Sequence, residues 1–174
     1  SKDGTQIPLT YSYKVSTQVN GATPVFLYGY GGYNISIRPS FTPKYVAWLE
    51  LGGVFAVANI RGGGEFGKSW HDAGRLDNKQ NVFDDFLYAS KYLEAQNVGN
   101  RKSTVISGRS NGGLLVGATL IQNPDYFGAT LPAVGVLDML RFTEFTEGWG
   151  WRGDYGSPLI NEDDFVRNLK ISPY

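Results

Sequence analysis

The spacing of apolar and polar residues changes several times in the first sixty positions. Residues 8–15 alternate between the two kinds, which is typical of a half-buried strand. Residues 25–28 form a short apolar run that ends in glycines, as in a buried strand that leads into a loop. Residues 41–51 carry apolar side chains at helical spacing, and Gly52-Gly53 ends this helix. Residues 54–60 are apolar without alternation, which indicates a strand covered on both faces.

The second half of the chain continues this alternation of strands and helices. Asn81 is expected to cap a helix that runs to about residue 95. Its inward-facing residues would be Phe83, Phe86, Leu87 and Leu93. The other predicted elements are a strand at 104–106, a buried helix at 111–121 and a strand at 129–136. This order predicts an α/β fold with a doubly wound, mostly parallel sheet, and 174 residues are enough for about one domain.

Composition and charge exclude several classes of function. Lys and Arg total 16, as do Asp and Glu, so the chain lacks the basic excess of nucleic-acid binders or polybasic membrane patches. It has no cysteine and one histidine, His71, so a cysteine nucleophile and a Cys- or His-rich metal site are excluded, and we expect no cofactor. No apolar run approaches the ~18 residues of a membrane span, and the polar first residues do not resemble a signal peptide. We expect a cytoplasmic protein, although this composition also suits the periplasm.

A glycine-rich segment, Gly62–Ser69, matches the phosphate-binding pattern G-x-x-x-x-G-K-[ST] and follows a predicted strand. Asp138 could then be the acidic residue that binds the Mg²⁺ ion of the nucleotide. A phosphate loop must open directly into a helix, however, and Gly74 soon interrupts this one. Glu65 would also place a carboxylate among the phosphates. The alternative is a glycine-rich loop that turns tightly behind the end of a strand.

Three of the same glycines also satisfy the dinucleotide pattern G-x-G-x-x-G. They are Gly62, Gly64 and Gly67, and Asp84 follows Gly64 by twenty residues. In a dinucleotide-binding fold this acid ends the second strand. Asp84 instead lies within a predicted helix, so the pattern is weak support for a cofactor site.

The third motif is G-x-S-x-G, formed by Gly108, Ser110 and Gly112. A predicted strand leads into it and a predicted buried helix leads out, which is the context that a nucleophile elbow requires. The turn is so sharp that Ser110 must adopt a strained backbone while the glycines pass close to neighbouring chain. The serine hydroxyl would then lie at a helix N-terminus, where amides and the helix dipole favour negative charge. The alternative is an ordinary strand-to-helix turn.

A catalytic serine needs a base and an oxyanion hole. His71 precedes Ser110, whereas the α/β-hydrolase order is serine, acid, histidine, so we expect His71 to be structural. No histidine follows Ser110, and the isolated chain should therefore have little or no turnover. One oxyanion donor is expected from the backbone N–H of Asn111. The second is expected from the loop 28–33, where a tyrosine hydroxyl could donate; the alternative is a buried aromatic cluster.

Several segments resemble the peptidase domain of the prolyl oligopeptidase family, in the same order and over essentially the whole chain. They are residues 27–34, 58–67, 70–71, 79–86 and 108–115. The resemblance implies an incomplete α/β-hydrolase fold in a serine oligopeptidase that cleaves short peptides after proline. It implies Ser110 as the nucleophile, with the Asn111 amide and the Tyr30 hydroxyl as oxyanion donors.

The resemblance also implies a pocket for the proline that precedes the scissile bond. Trp151 would stack on the proline ring, and the same pocket would be lined by Tyr33, Asn111, Val136 and Tyr155. Tyr33 stands where family members carry phenylalanine, which would make the rim more polar. A compact pyrrolidine ring suits a flat pocket bounded by aromatic side chains. The alternative for Trp151 is a role in the core.

The resemblance implies that residues 1–174 form part of a peptidase domain. A β-propeller would precede them, and the triad Asp and His would follow. Expected partners are short proline-containing peptides and the rest of the chain's own domain, with no nucleic acid and no membrane. Three alternatives stay open: another acyl hydrolase such as an esterase or an oligopeptidase B-like enzyme, a nucleotide-binding module at Gly62–Ser69, and a non-enzymatic chain stabilised by its missing half.

Overall fold

An open five-stranded sheet forms the centre of the protein, in a computed structural model that describes residues 1–174. Its order is β1-β3-β2-β4-β5, with β1 antiparallel to β3 and all other neighbours parallel. The strands are β1 (Leu9–Ser12), β2 (Val25–Tyr28), β3 (Val54–Ala58), β4 (Thr104–Arg109) and β5 (Ala129–Ala133). The predicted α/β class and mostly parallel sheet are confirmed.

Six α-helices and several short 3₁₀ turns connect and follow the strands. The helices are α1 (Pro43–Glu50), α2 (Lys68–Asp72), α3 (Lys79–Ala95), α4 (Asn111–Gln122), α5 (Arg152–Tyr155) and α6 (Glu162–Ile171). The 3₁₀ turns are Leu76–Asn78, Arg101–Ser103, Phe142–Glu144 and Gly148–Trp151. No helix in the chain is both long and apolar enough to cross a bilayer.

The two faces of the sheet pack against different helices. Residues that alternate along β2 and β3 are fully buried in the core with side chains of α3 and α4. These buried residues include Val25, Leu27, Val54, Ala56, Phe83, Phe86, Leu114 and Leu115. The intervening side chains face α1, where the Phe26 ring lies 5.9 Å from Tyr45 and 5.7 Å from Trp48. Helices therefore cover both faces, as the doubly wound pattern predicts.

Helix α3 begins three residues earlier than predicted. The chain enters it through the 3₁₀ turn Leu76–Asn78, so Lys79 is its first residue and Asn81 lies within its first turn. The Asn81 side chain donates to the carbonyl of Ala73 at 3.0 Å and does not cap the helix. The prediction of Asn81 as the cap is therefore wrong, although the four residues expected to face inward are all buried.

The ends of two strands, and the exposure at the end of one helix, also differ from what the sequence predicts. Strand β5 ends at Ala133, earlier than predicted, because Val134 has a φ of 42°. Strand β4 runs on to Arg109 and so reaches the G-x-S-x-G motif directly. Helix α4 is buried from Asn111 to Thr119, but Leu120 and Ile121 near its end are exposed.

A buried ion pair joins the end of β3 to α3. The Arg61 guanidinium donates through Nε to Asp85 Oδ2 at 2.9 Å and through Nη2 to Asp85 Oδ1 at 2.6 Å. The Arg61 backbone N–H also donates to Asp85 at 3.1 Å, and Nη1 reaches Asp3 at 2.6 Å. The Arg61 guanidinium holds the pKa of the Asp3 carboxyl well below its usual range. This pair fixes the glycine-rich segment that follows β3 against α3.

Candidate active site

Ser110 lies at the sharp turn between β4 and α4, with φ 59° and ψ −118°. A positive φ is uncommon for a residue with a side chain and marks a backbone held by its surroundings. The Ser110 N–H donates to the Ala133 carbonyl at the end of β5 at 2.9 Å. Its own carbonyl accepts from Gly113 at 2.8 Å and from Leu114 at 3.1 Å. Strand β5 and the first turn of α4 thus fix this conformation from two sides.

The glycines of the motif let the chain pass close to itself. A Cβ on Gly108 would collide with the carbonyl oxygen of Gly112. A Cβ on Gly112 would lie 2.8 Å from the carbonyl oxygen of Gly29, in the loop after β2. This is the close approach that the sequence predicts, and it brings the loop after β2 against the serine turn.

Tyr30, in that loop, lies beside the serine, although no direct hydrogen bond joins the two side chains. Burial raises the pKa of Tyr30, and the nearby Ser110 side chain only partly offsets this rise. Tyr30 therefore keeps its proton at neutral pH and can donate it to an oxygen beside Ser110.

Asn111 is the residue expected to carry the second donor. It is the first residue of α4, and its backbone N–H has no acceptor in the protein, as helix geometry dictates for a first turn. Its side chain is buried, and Nδ2 donates to the Tyr30 carbonyl at 2.6 Å. The two residues expected to carry the oxyanion donors are therefore joined by a hydrogen bond between other atoms.

A buried polar cluster lies behind Asn111. Its Oδ1 accepts from the Tyr155 hydroxyl at 2.7 Å and from Lys79 Nζ at 2.9 Å. Lys79 also donates to the Gly31 carbonyl at 3.0 Å and is only 2% exposed. Burial lowers the pKa of Lys79 to about 8, against an opposing effect of Asp154. Sequence analysis missed Lys79, because a lysine at the start of an amphipathic helix is ordinarily exposed.

The buried ammonium gives a prediction for the pH dependence of stability. Between about pH 8 and 10.5 the unfolded chain still protonates Lys79 whereas the folded chain does not, so the unfolded state binds more protons and stability rises with pH. From pH 7.5 to pH 10, the free energy of unfolding of the wild type should rise by about 2–3 kcal/mol relative to Lys79→Met. Urea unfolding of both proteins measures this difference, and the tyrosine titrations that they share cancel in it. A difference that stays constant or falls with pH would contradict the prediction.

The residues expected to form the substrate pocket fall into two groups. Tyr33, at φ 56°, packs edge-to-face on Tyr155, with ring centroids 5.8 Å apart. Tyr155 is 1% exposed and lies in the same cluster as Asn111. Val136 and Trp151 are half-buried and pack against the apolar core, Trp151 from the 3₁₀ turn Gly148–Trp151. Hydrogen bonds and ring packing therefore connect Tyr33, Asn111 and Tyr155, and no polar contact links Trp151 or Val136 to them.

Comparison with known proteins decides the family. Residues 39–174 match the family model described as the prolyl oligopeptidase family. The chain belongs to the prolyl oligopeptidase family. Over 173 residues it is 49% identical to a prolyl endopeptidase of Elizabethkingia meningoseptica, covering 99% of this chain and 24% of that protein.

Solved structures of prolyl oligopeptidases agree closely with the fold. One, from a structural and mechanistic study of two prolyl endopeptidases, has a TM-score of 0.96 and 50% identity, and the match covers 100% of this chain and 25% of that one. Prolyl oligopeptidase B from Galerina marginata, bound to a 35-residue hydrolysis and macrocyclization substrate, has a TM-score of 0.95 and 43% identity over 99% of this chain and 25% of that one. The chain thus spans about a quarter of the length of the relatives it matches.

In this prolyl oligopeptidase chain, His71 belongs to a structural pair. Its Nε2 lies 3.0 Å from Asp154 Oδ1, and no hydrogen bond joins it to Ser110. The other carboxylate oxygen of Asp154 accepts from the Tyr33 N–H at 2.8 Å. His71 and Asp154 therefore hold Tyr33 in place, in keeping with the structural role expected for His71. Sequence analysis did not identify Asp154.

The segment Gly62–Ser69 is tied by its own carboxylate to neighbouring parts of the chain. Glu65 Oε1 accepts from the Ile37 N–H at 2.9 Å and from Asn59 Nδ2 at 3.0 Å. Lys68 is 82% exposed and pairs with Asp72, and α2 has only five residues. The segment thus carries a hydrogen-bonded carboxylate and lacks the long helix of a phosphate site. This geometry favours the tight turn over the nucleotide-binding hypothesis.

Proposed function

We propose that this chain carries the nucleophile and oxyanion hole of a serine peptidase that cleaves short peptides after proline. One observation carries the proposal: Ser110 sits on a strained turn beside Tyr30, whose hydroxyl keeps its proton, and directly before the Asn111 N–H, which has no acceptor in the protein. Donors that are fixed before the reaction need no reorganisation as charge develops, and this is usually the largest contribution to such catalysis. The names of the relatives support proline as the preferred residue.

In the proposed reaction, Ser110 Oγ attacks the carbonyl carbon of the bond that follows proline. The carbonyl oxygen becomes negatively charged and accepts hydrogen bonds from Asn111 and Tyr30. Collapse of this tetrahedral intermediate expels the amine, which takes up the proton that the base removed from Ser110, and leaves an acyl group on Ser110. A water molecule then attacks the acyl group, releases the acid and regenerates the serine.

A base must remove the Ser110 proton, and we propose that it lies outside these 174 residues. His71 has no hydrogen bond to Ser110, so it is a poor candidate. The relatives are about four times as long as this chain, which leaves room for a triad Asp and His in a following segment and for a preceding propeller. The isolated chain is therefore expected to be inactive. We further expect short proline-containing peptides as substrates and the cytoplasm as the compartment.

We propose that Trp151 forms the main apolar wall for the proline ring. Together with Tyr33, Asn111, Val136 and Tyr155 it would enclose the residue before the scissile bond. Its position on a short 3₁₀ turn, half-buried against the core, leaves part of the indole free for a ligand. Tyr155 is so deeply buried that it would support the wall from behind through Tyr33.

The experiment that tests the proposal compares full-length wild type with Trp151→Ala on reporter peptides ending in proline or arginine and on a simple ester. Loss of the indole should lower kcat/KM for the proline peptide roughly 30- to 100-fold, because a buried stacking contact is removed. The ester, which does not need this wall, should be affected much less.

Trp149→Ala is the matched control, since Trp149 lies in the same 3₁₀ turn but is 63% exposed. Its rates should match those of the wild type. If the wild type prefers the arginine peptide or the ester, the protein is an oligopeptidase B-like enzyme or an esterase. If both tryptophan variants lose the same activity, Trp151 has no particular part in proline binding.

A further inference from the structure

We propose that Lys79 is a positioning residue for the oxyanion hole, an inference that rests on the proposed function. Lys79 touches neither Ser110 nor an expected substrate atom. Its ammonium instead holds the two parts that carry the oxyanion donors: the Asn111 side chain and the loop that contains Tyr30. Removing it should leave the substrate site in place but loosen the alignment of the donors.

The hydrogen bonds form a connected path. Lys79 Nζ donates to Asn111 Oδ1 at 2.9 Å and to the Gly31 carbonyl at 3.0 Å. On the other side of the same amide, Asn111 Nδ2 donates to the Tyr30 carbonyl at 2.6 Å. Two successive carbonyls of the loop after β2 are thus bound, one directly by Lys79 and one through Asn111. The Tyr30 hydroxyl projects from the residue fixed in this way.

The ammonium of Lys79 helps to fix which way the Asn111 amide faces. An ammonium group has only donors, so only the oxygen end of the amide can face it. The Tyr155 hydroxyl also donates to Asn111 Oδ1, but a hydroxyl can accept as readily as it donates and would tolerate either orientation. Lys79 at the oxygen end and the Tyr30 carbonyl at the nitrogen end, which can only accept, therefore fix the amide together.

The surroundings of Lys79 also indicate a specific role. The ammonium is almost completely buried, and its hydrogen-bond partners are neutral oxygens; no carboxylate forms a salt bridge with it. The Tyr155 ring lies 5.4 Å away and contributes a cation–π contact. Burying a charge without an ion pair is unfavourable, and apolar side chains of similar volume ordinarily replace such groups without loss of stability. Orientation of the two donors explains why a cation occupies this position.

The principal test compares the full-length wild type with Lys79→Met, a substitution of similar length that removes all donors. We expect kcat for a proline peptide to fall about 10- to 100-fold while KM changes less than about threefold, because oxyanion contacts form mainly in the transition state. Lys91→Met, at the exposed end of the same helix, is the matched control and should keep the wild-type kcat. A rise in KM with unchanged kcat would overturn the proposal.

Two further variants separate positioning from stability. Lys79→Gln keeps a polar head, but this head is uncharged and one atom closer to the backbone, so it should not reach both acceptors and should lose kcat as Lys79→Met does. It also provides the test if the methionine variant does not fold. In combination with Asn111→Ala, either Lys79 variant should lower kcat by less than it does in the wild type, since part of its effect passes through the Asn111 amide. Independent, multiplicative losses would contradict action through Asn111.

A crystal structure of full-length Lys79→Gln provides a test that needs no substrate. We expect the Asn111 amide to be rotated or residues 29–32 to be displaced from Ser110. An unchanged amide and loop would overturn the inference, even if the wild type cleaves proline peptides. Failure of the wild type to cleave them would instead refute the proposed function, and the structure of the variant would still decide the role of Lys79.

Discussion

Ser110→Ala should abolish peptide cleavage by the full-length protein, lowering kcat by about 10⁴- to 10⁶-fold. Alanine cannot form the acyl-enzyme, so only the oxyanion donors and substrate binding remain to assist direct attack by water. The variant should fold normally, because the positive φ at this position is set by hydrogen bonds to Ala133, Gly113 and Leu114 that do not involve the side chain. Binding of a proline peptide should therefore persist, and isothermal calorimetry can measure it beside the kinetics.

Ser69→Ala is the control for this experiment. Ser69 is exposed at the end of the glycine-rich segment Gly62–Ser69 and would be functional only in the nucleotide-binding interpretation. Its kcat should equal that of the wild type. Retention of more than a tenth of the wild-type kcat by Ser110→Ala would rule out the serine as nucleophile.

Asp85→Ala should destabilise the protein by about 3–5 kcal/mol, the largest effect that we expect from a substitution outside the active site. Asp85 is fully buried and accepts three hydrogen bonds from the guanidinium and one from the backbone of Arg61. Alanine would leave a buried guanidinium whose only remaining charged partner is the partly exposed Asp3. Urea unfolding followed by tryptophan fluorescence measures the loss.

Two comparisons show whether an unpaired buried charge is the cause. Asp84→Ala removes the neighbouring carboxylate, which is only half-buried and interacts with Gln80, and should change stability by less than about 0.5 kcal/mol. The double variant Arg61→Met/Asp85→Leu removes both charges and should recover most of the stability lost in Asp85→Ala. A loss below 1 kcal/mol for Asp85→Ala would mean that solvent reaches Arg61 once the carboxylate is gone.

The loop after β2 takes part both in the packing of the fold and in the proposed oxyanion hole. Its Tyr30 lies beside Ser110, its Gly31 carbonyl accepts from Lys79, and its Tyr33 N–H is bound by Asp154. Each contact comes from a different element: the turn between β4 and α4, then α3, then α5. Substitution of Lys79 or Asp154 should therefore affect the proposed oxyanion hole without removing a group that touches the substrate.

Much of the fold follows from local pattern. The unbroken apolar runs at residues 25–28 and 54–60 predict two central strands, and G-x-S-x-G between a strand and an apolar helix predicts the turn at Ser110. These predictions succeed because they depend on backbone sterics and on burial of one face, which neighbouring residues determine. The prediction of Asn81 as a cap fails because the helix start is set by the preceding 3₁₀ turn, which depends on tertiary contacts of that segment.

By itself, the sequence determined the α/β class, the sharp turn that carries the candidate nucleophile Ser110, and the absence of a histidine after it. Only the tertiary structure decided that Lys79 is buried against Asn111, that Asp154 pairs with His71 and binds Tyr33, and that Tyr155 supports the site from within. The physical reason is distance along the chain. A turn is encoded by adjacent residues, whereas the burial of a charge depends on partners that folding brings together from 32 to 121 residues away.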